Sequence, residues 1–530
     1  MQIVTSFPRP STRWLERNSI LFVFLIGFSI WIGFTFYTRN TLEDAYITYR
    51  YANNLASGEG FVFNSGEKVL GTTTPLLTLM LALGVRIVGT QFTPNLATIV
   101  MIASGLAAGL VTYAALVRAG LSNFASALAA AVFYLHPFVI LASTGGMETP
   151  LVLLLMVTSL YFLTAEKYTR CSIALALLVL TRIDGIVWAG LVFLAILLKN
   201  RKFPFKQFAT FGMILTPWIV FALSYFGSVM PHSVVAKQSI ASGKTLSGFQ
   251  DATSVNRFLE WFVSSSGLSV GDQFFPLLVL SFTIGVASVL RNKRSRILSP
   301  LIVFIFLFPT ILFAGHAPIK FFWYLVPVGW CILIIASIGI WRVGILRKYF
   351  AAKNSFRYLP VIAATIVFGA FVFSFVQSDL KNFEDWRWWQ EENEDGLRRV
   401  VGRYLRQNTP RNAKVAMEAI GYQGYYSQRY VIDLAGMTSP AVVAIYRESN
   451  SNAEAFYEIL QRLEPDYIVL RTYEVDENIA FDGGLLFESP EQQNYFMSTY
   501  EEEKRFSTPI PGAMGELGYL TLYKRKNKHQ

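Results

Sequence analysis

Residues 40 to 74, NTLEDAYITYRYANNLASGEGFVFNSGEKVLGTTT, decide how this chain is read. They follow directly on Ser19 to Tyr37, an apolar run of membrane-span length, yet they are polar, aromatic and acidic. A bilayer crossing must satisfy its backbone internally and is therefore helical. A polar stretch placed straight after such a crossing lies at the membrane surface, and this one sets two adjacent carboxylates there, Glu43 and Asp44. Charges close to a bilayer are costly and tend to mark function.

Composition agrees with a membrane setting. The 530 residues are 53% apolar and only 15% charged, too little polar surface for a soluble globule. Cys171 and Cys331 both lie in apolar runs and read as small packing residues, so neither a disulfide framework nor a metal cluster is suggested. Up to residue 377 there are 28 Lys and Arg against 11 Asp and Glu; residues 378 to 530 hold 18 against 24 and no long apolar run. The chain divides there into a membrane part, 1 to 377, and an α/β part, 378 to 530. The positive excess belongs to the membrane part, where basic cytoplasmic loops account for it without any nucleic-acid partner. Arg9, Arg13 and Arg17 precede the first span and no small-residue cleavage site follows it, which predicts an uncleaved anchor with a cytoplasmic N-terminus.

A crossing takes about 20 apolar residues. Candidate segments lie near 19 to 37, 75 to 90, 95 to 117, 122 to 142, 149 to 165, 171 to 198, 206 to 227, 275 to 290, 298 to 314, 320 to 341 and 358 to 377. The basic stretches KNRK (199 to 202), RNKRSR (291 to 296) and RVGILRK (342 to 348) should be cytoplasmic. Residues 38 to 74, the loop 228 to 274, the HAPIK turn (316 to 320) and everything after 377 then fall outside. TRIDG (181 to 185) would be costly in mid-membrane, so 171 to 198 reads as two short helices meeting at an external turn. Parity then leaves 75 to 90 in the interface rather than across it. The expectation is a polytopic α-helical membrane protein with about eleven spans, multi-pass in the cell membrane. A C-terminal extracytoplasmic α/β domain follows, with strands near 413 to 421, 429 to 436 and 465 to 471 and helices near 394 to 406 and 452 to 463.

Threading gathers polar clusters on the outer face. Acids come from Glu43, Asp44, Glu148 and Asp184; cations from Arg50, Lys68, Arg182, Lys237 and Lys320; His232, His316 and Tyr49 lie nearby. A cavity with both signs of charge at the membrane edge suits a lipid-borne anionic phosphate carrying a sugar. Arg and Lys would hold the phosphate, and a carboxylate would handle a hydroxyl proton. Each residue has a plainer reading. Asn40 with Glu43, and Thr41 with Asp44, are capping patterns; Arg182 and Asp184 could simply pair across a broken helix; Glu148 could favour a helix N-terminus. Tyr422, Tyr425 and Tyr426 could be core or a sugar platform. No HxxxH or CxxC spacing suggests a metal, and no cofactor is called for, although a divalent metal is not excluded.

LEDAYITYRYANNLASGEGFVFNSGEKVLGTTTPL (42 to 76) resembles the GT-C superfamily of membrane glycosyltransferases. The closest likeness is to the mycobacterial terminal β-1,2-arabinofuranosyltransferases and their bacterial relatives. The resemblance continues through HPFVILASTGGMETPL (136 to 151), LTRIDG (180 to 185), MPHSVVAK (230 to 237) and VIDLAGMTSP (431 to 440), in order and over most of the chain. It implies an inverting glycosyltransferase with a polyprenyl-phosphate sugar donor and a cell-envelope glycan or glycolipid acceptor on the outer membrane face. By the same resemblance an acid of the first external loop is the catalytic base. Asp44 is the matching acid, with Glu43 beside it where relatives usually carry a first Asp. Arg182 and Lys237 fall in matching motifs and lead the candidates for the donor phosphate. Two other classes fit the same charges: a transporter or flippase of lipid-linked glycans, and a glycan-binding membrane sensor.

Overall fold

The structure, a computed structural model, describes residues 12–241, 262, 275–293, 295–314, 321–345, 359–471, 474–475, 486–507 and 519–526. The HAPIK turn, with His316 and Lys320, and most of the loop 228 to 274 lie outside them.

The chain is a multi-pass helical membrane protein. Thr12–Thr38 is one helix, and it leaves Leu21, Phe22, Leu25, Ile26, Phe28 and Phe36 exposed, as a lipid-facing surface does. Among the described residues five helices are long and apolar enough to cross a bilayer: Asn18–Thr38, Thr90–Arg118, Phe205–Phe226, Ser295–Leu312 and Phe322–Val343. Pro75–Val88, Thr149–Thr164, Tyr168–Thr181, Gly185–Asn200 and Phe275–Arg291 are apolar but shorter. A helix of the 14 residues in Pro75–Val88 rises about 21 Å, less than a hydrocarbon core of about 30 Å.

Three features bear on the expected threading. Segment 171 to 198 is two helices, Tyr168–Thr181 and Gly185–Asn200, meeting at the charged turn Arg182 to Asp184. Segment 122 to 142, expected as one straight span, is bent by 62° between Asn123–Leu135 and Pro137–Thr144. Pro137 has no N–H to continue the helix and its ring pushes His136 to an extended ψ of 123°. The helix of the last expected segment, 358 to 377, does not stop at 377. Leu359–Trp389 runs 31 residues, widens into a π-helical stretch at Gln390–Arg398, and resumes as the α-helix Arg399–Asn408.

That helix delivers a five-stranded sheet: β1 Lys414–Met417, β2 Tyr430–Asp433, β3 Tyr467–Arg471, β4 Tyr500–Ser507 and β5 Tyr519–Arg525, in the order β2-β1-β3-β5-β4. β1 is parallel to β2 and β3, whereas β5 is antiparallel to β3 and β4. One face is covered by Pro440–Glu448, Asn452–Leu463 and Pro490–Thr499, through Val442, Ile445, Phe456, Ile459, Leu460 and Phe496. The other face packs on Leu397, Val401 and Leu405 and on Ile47, Tyr51, Phe61, Phe63 and Leu70 of the 40 to 74 loop. The loop that opens the chain's polar part and the domain that closes the chain thus share one hydrophobic core.

Candidate active site

The helix Ala45–Ala56 begins at Asp44, which stands at the N-cap with φ −61° and ψ −24° and makes no side-chain capping bond. Glu148 and Asp184 likewise stand at helix N-caps without capping bonds. The three carboxylates are therefore not consumed by helix initiation, although each sits by a positive helix end. Asp184 and Glu148 instead flank Arg182, whose guanidinium donates to Asp184 at 2.8 to 3.0 Å and lies 3.7 Å from Glu148. Arg182 also lies over the Tyr324 ring, 5.0 Å from its centroid.

Glu43 and Asp44 line a cavity of about 960 Å³ between the membrane helices and the sheet domain. From the membrane side its walls include Lys237, Phe321, Phe322 and Trp323; from the C-terminal side Trp386, Trp388, Trp389, Glu394, Arg398, Glu418 and Arg471. Burial pulls the Lys237 ammonium below its ordinary pKa, and the charges of Asp44 and Glu148 oppose that pull. The Glu43 carboxyl accepts a 2.6 Å bond from the Gly421 N–H and is bonded to Asp44. Desolvation first, then the Asp44 charge, raises it to about 8, against the opposing Arg398. A proton kept on Glu43 makes it a donor to Asp44.

Local structure explains why these groups converge. Thr41 N–H donates to Gln390 Oε1 at 2.9 Å, Gln390 Nε2 donates to the Tyr422 hydroxyl at 2.9 Å, and Thr41 and Tyr422 share a hydroxyl contact. Tyr46 packs on Tyr422, Tyr425 and Tyr426 with ring centroids 4.0 to 5.8 Å apart, so that tyrosine cluster is interface core. The VIDLAGMTSP stretch is a loop built on buried Asp433. Its carboxylate accepts from the Ala435 and Thr438 N–H groups and from the Thr438 hydroxyl, which sets Ala435 and Met437 on the cavity wall. Gly436 in that loop has φ +71°, and an added Cβ would press on Val443.

The remaining sequence candidates separate. Arg50 is buried and is not among the wall residues: its guanidinium donates to the carbonyls of Phe63, Gly424 and Arg429 and to Asn64. Lys68 lies over the Tyr225 ring, 4.8 Å from its centroid, and is also off the cavity wall. Arg182 is ion-paired with Asp184 and Glu148 and is not among the wall residues. Tyr49 donates to the Gly146 carbonyl, and the backbone N–H of His232 donates to Leu70 O. Of the five candidate cations, Lys237 alone is described on the wall; Lys320 lies outside the described residues. Sequence reasoning missed the stretch DWRWWQEENED (385 to 395), whose three tryptophans among acids, directly after an apolar helix, were the available signal.

Solved structures with this architecture are membrane glycosyltransferases. The apo Archaeoglobus fulgidus oligosaccharyltransferase aligns with 96% of this chain and 75% of its own, at a TM-score of 0.60 and 13% identity. ArnT from Cupriavidus metallidurans, bound to undecaprenyl phosphate, aligns over 97% and 98% at a TM-score of 0.54 and 13% identity. The fold is GT-C. The arabinofuranosyltransferase AftD from Mycobacteria aligns with 98% of this chain and 40% of its own length, at a TM-score of 0.48 and 14% identity. Residues 385–523 match a family described as Domain of unknown function (DUF8728), which covers the C-terminal wall of the cavity. No curated protein matches the chain in sequence. In GT-C terms, the acid pair lies just after the first span, and the unassigned domain closes over it.

Proposed function

We propose that this GT-C protein is an inverting glycosyltransferase that moves a sugar from a polyprenyl-phosphate donor to an acceptor hydroxyl on the outer face of the membrane, with Asp44 as base. The observation that carries this reading is the Asp44 carboxylate, unused in capping and placed on the wall of a large cavity that also holds Lys237. The undecaprenyl phosphate bound by ArnT, a protein of the same fold, supports a lipid phosphate as the donor's carrier.

The chemistry balances with these groups. The acceptor oxygen attacks C1 of the sugar as its proton passes to Asp44. The bond from C1 to the phosphate oxygen breaks, and its electron pair leaves with the polyprenyl phosphate. Attack opposite the departing phosphate inverts C1. The leaving phosphate needs charge stabilisation more than a proton, which Lys237 supplies. Phe321, Phe322 and Trp323 beside Lys237 give the first isoprene units an apolar wall. Arg182 offsets the charge of Glu148 and Asp184, which would otherwise repel the donor phosphate.

The deciding experiment is Asp44→Asn. The amide keeps the shape but cannot take the proton, so transfer from a polyprenyl-phosphate sugar should fall by about 10² to 10⁴-fold with the protein folded and donor still bound. Full transfer in the variant would remove Asp44 as base. A flippase or a glycan sensor would consume no donor in the wild type, and that result would refute the enzyme reading as a whole.

A further inference from the structure

We propose that the C-terminal arm of the cavity, formed by Trp386, Trp388, Trp389, Glu394, Arg398 and Arg471, is a binding site for a glycan chain that serves as the acceptor. This assignment rests on the transferase reading.

The two arms of the cavity differ in chemistry. Beside Lys237 the membrane-side wall is aromatic and apolar, whereas the C-terminal wall alternates indoles with carboxylates and guanidiniums. The alternation comes from the helix that leaves the membrane at Leu359–Trp389. Its backbone widens to a π-helix over Gln390–Arg398 as it passes the cavity. Such wide turns are rare and concentrate at functional sites. Here the widened turns bring Glu394 and Arg398 to the same wall as the tryptophans of the preceding α-helix.

Glu394 is the telling group. It is only 2% exposed, and its Oε1 accepts from Trp389 Nε1 (3.1 Å), Asn393 Nδ2 (3.2 Å) and Arg398 (2.7 Å). Its Oε2 has no hydrogen-bond partner. A buried carboxylate oxygen without a donor is unfavourable, and a hydroxyl from a ligand relieves it. Arg471 lines the same wall, ion-paired with Glu418, which is also on the wall, and with Glu474.

This set matches a saccharide. The C–H face of a sugar ring is apolar and packs on an indole, and its hydroxyls pair with carboxylates and guanidiniums. A lipid tail in the same place would desolvate Glu394, Arg398 and Arg471 without offering one hydrogen bond. Position agrees too: Glu394 and Arg398 line the same cavity as Glu43 and Asp44, so a hydroxyl at the end of a chain held here lies beside the acid pair. The cavity, at about 960 Å³, is near the upper end for small-molecule sites of about 300 to 1,000 Å³, which leaves room for a donor headgroup and an acceptor end together.

The test is calorimetry on the full chain in lipid nanodiscs. It uses short linear arabinan, mannan, galactan and glucan oligosaccharides as probes, with undecaprenyl phosphate titrated separately. At least one oligosaccharide should bind the wild type, and Trp388→Ala and Arg471→Met should each weaken it about tenfold while changing the affinity for undecaprenyl phosphate less than about twofold. Two variants are used because Trp388 and Arg471 lie in different elements, the long helix Leu359–Trp389 and the end of β3, so a folding defect in one does not decide the test. Binding of none of the oligosaccharides, binding that both variants leave intact, or displacement of the oligosaccharide by a glycerolipid would overturn the proposal. Oligosaccharide binding that both variants weaken, without any binding of undecaprenyl phosphate, would uphold the glycan arm and refute the transferase reading, so the two failures are distinguishable.

Discussion

At the scale of residues, Glu43 and Asp44 illustrate how neighbouring acids are given different work. Glu43 is crowded by protein, accepts from Gly421 and faces the Asp44 charge, so its carboxyl is raised from 4.5 to about 8. Between those values the folded protein keeps a proton that the unfolded chain has released, so stability falls as pH rises through that window. Glu43→Gln carries a permanent amide donor toward Asp44 and an oxygen for Gly421. Thermal melting of this variant should depend less on pH between 5 and 8 than that of the wild type, and transfer should persist, whereas Glu43→Ala should lose it. A melting profile of Glu43→Gln that tracks the wild type across this range would mean that Glu43 is ionised when folded. The sequence exposed both acids through their position after a span. It could not expose the Gly421 contact, which joins residues 378 apart in the chain. Nor could it settle the capping pattern at Asn40 to Asp44, because whether a carboxylate turns back onto its own helix depends on what else competes for it.

At the scale of elements, the stretch from Leu359 to Asn408 carries the most consequence, since one continuous helix couples the membrane to the sheet and changes its winding beside the cavity. Removing one residue from the widened part, for example Asn393, should restore α-helical winding and displace Glu394 from its place between Trp389 and Arg398. Circular dichroism should report an unchanged helix content while transfer to acceptor drops at least about tenfold. Transfer at the wild-type rate would make the wide winding incidental. Elements with strong local signals were legible. The helix at Asn452–Leu463 and the strands β1, β2 and β3 lie where hydrophobic patterning puts them. β4 was not legible: YEEEKRFS reads as a charged surface segment and is an edge strand whose only buried residues are Tyr500 and Phe506. Charged side chains suit a sheet edge because they discourage further pairing, and they erase the alternation by which strands are recognised. The bend at His136 and Pro137 was written in the sequence but outweighed by the unbroken apolar run around it.

At the scale of the whole molecule, the site exists only where two distant parts of the chain close on each other. Residues 40 to 74 supply the acids, residues 385 to 471 supply the opposite wall, and Arg50 is the bolt between them. It donates from Nε to Phe63 O at 2.8 Å within the loop, and across to Gly424 O at 2.7 Å and Arg429 O at 2.6 Å in the domain, with its guanidinium 4.2 Å from the centre of the Phe63 ring. Arg50→Met keeps much of the side-chain volume but removes the donor that ties loop to domain; Phe63 O keeps Asn54 Nδ2 and Gly424 O keeps the Ser427 hydroxyl, while the buried Arg429 O loses its Arg50 donor at a cost of about 1 to 3 kcal/mol. The helix bundle, whose core is built from other residues, should stay intact. The expected result is a lower melting temperature and faster hydrogen exchange across Gly421 to Arg429. Transfer should fall because the Gly421 N–H no longer holds Glu43 and the tryptophan wall no longer faces Asp44. Affinity for undecaprenyl phosphate should change little, since Lys237 and the aromatic residues beside it are untouched. If instead exchange across Gly421 to Arg429 stays at the wild-type rate while undecaprenyl phosphate affinity collapses, Arg50 is a phosphate ligand after all, and the closure of the two parts does not depend on it.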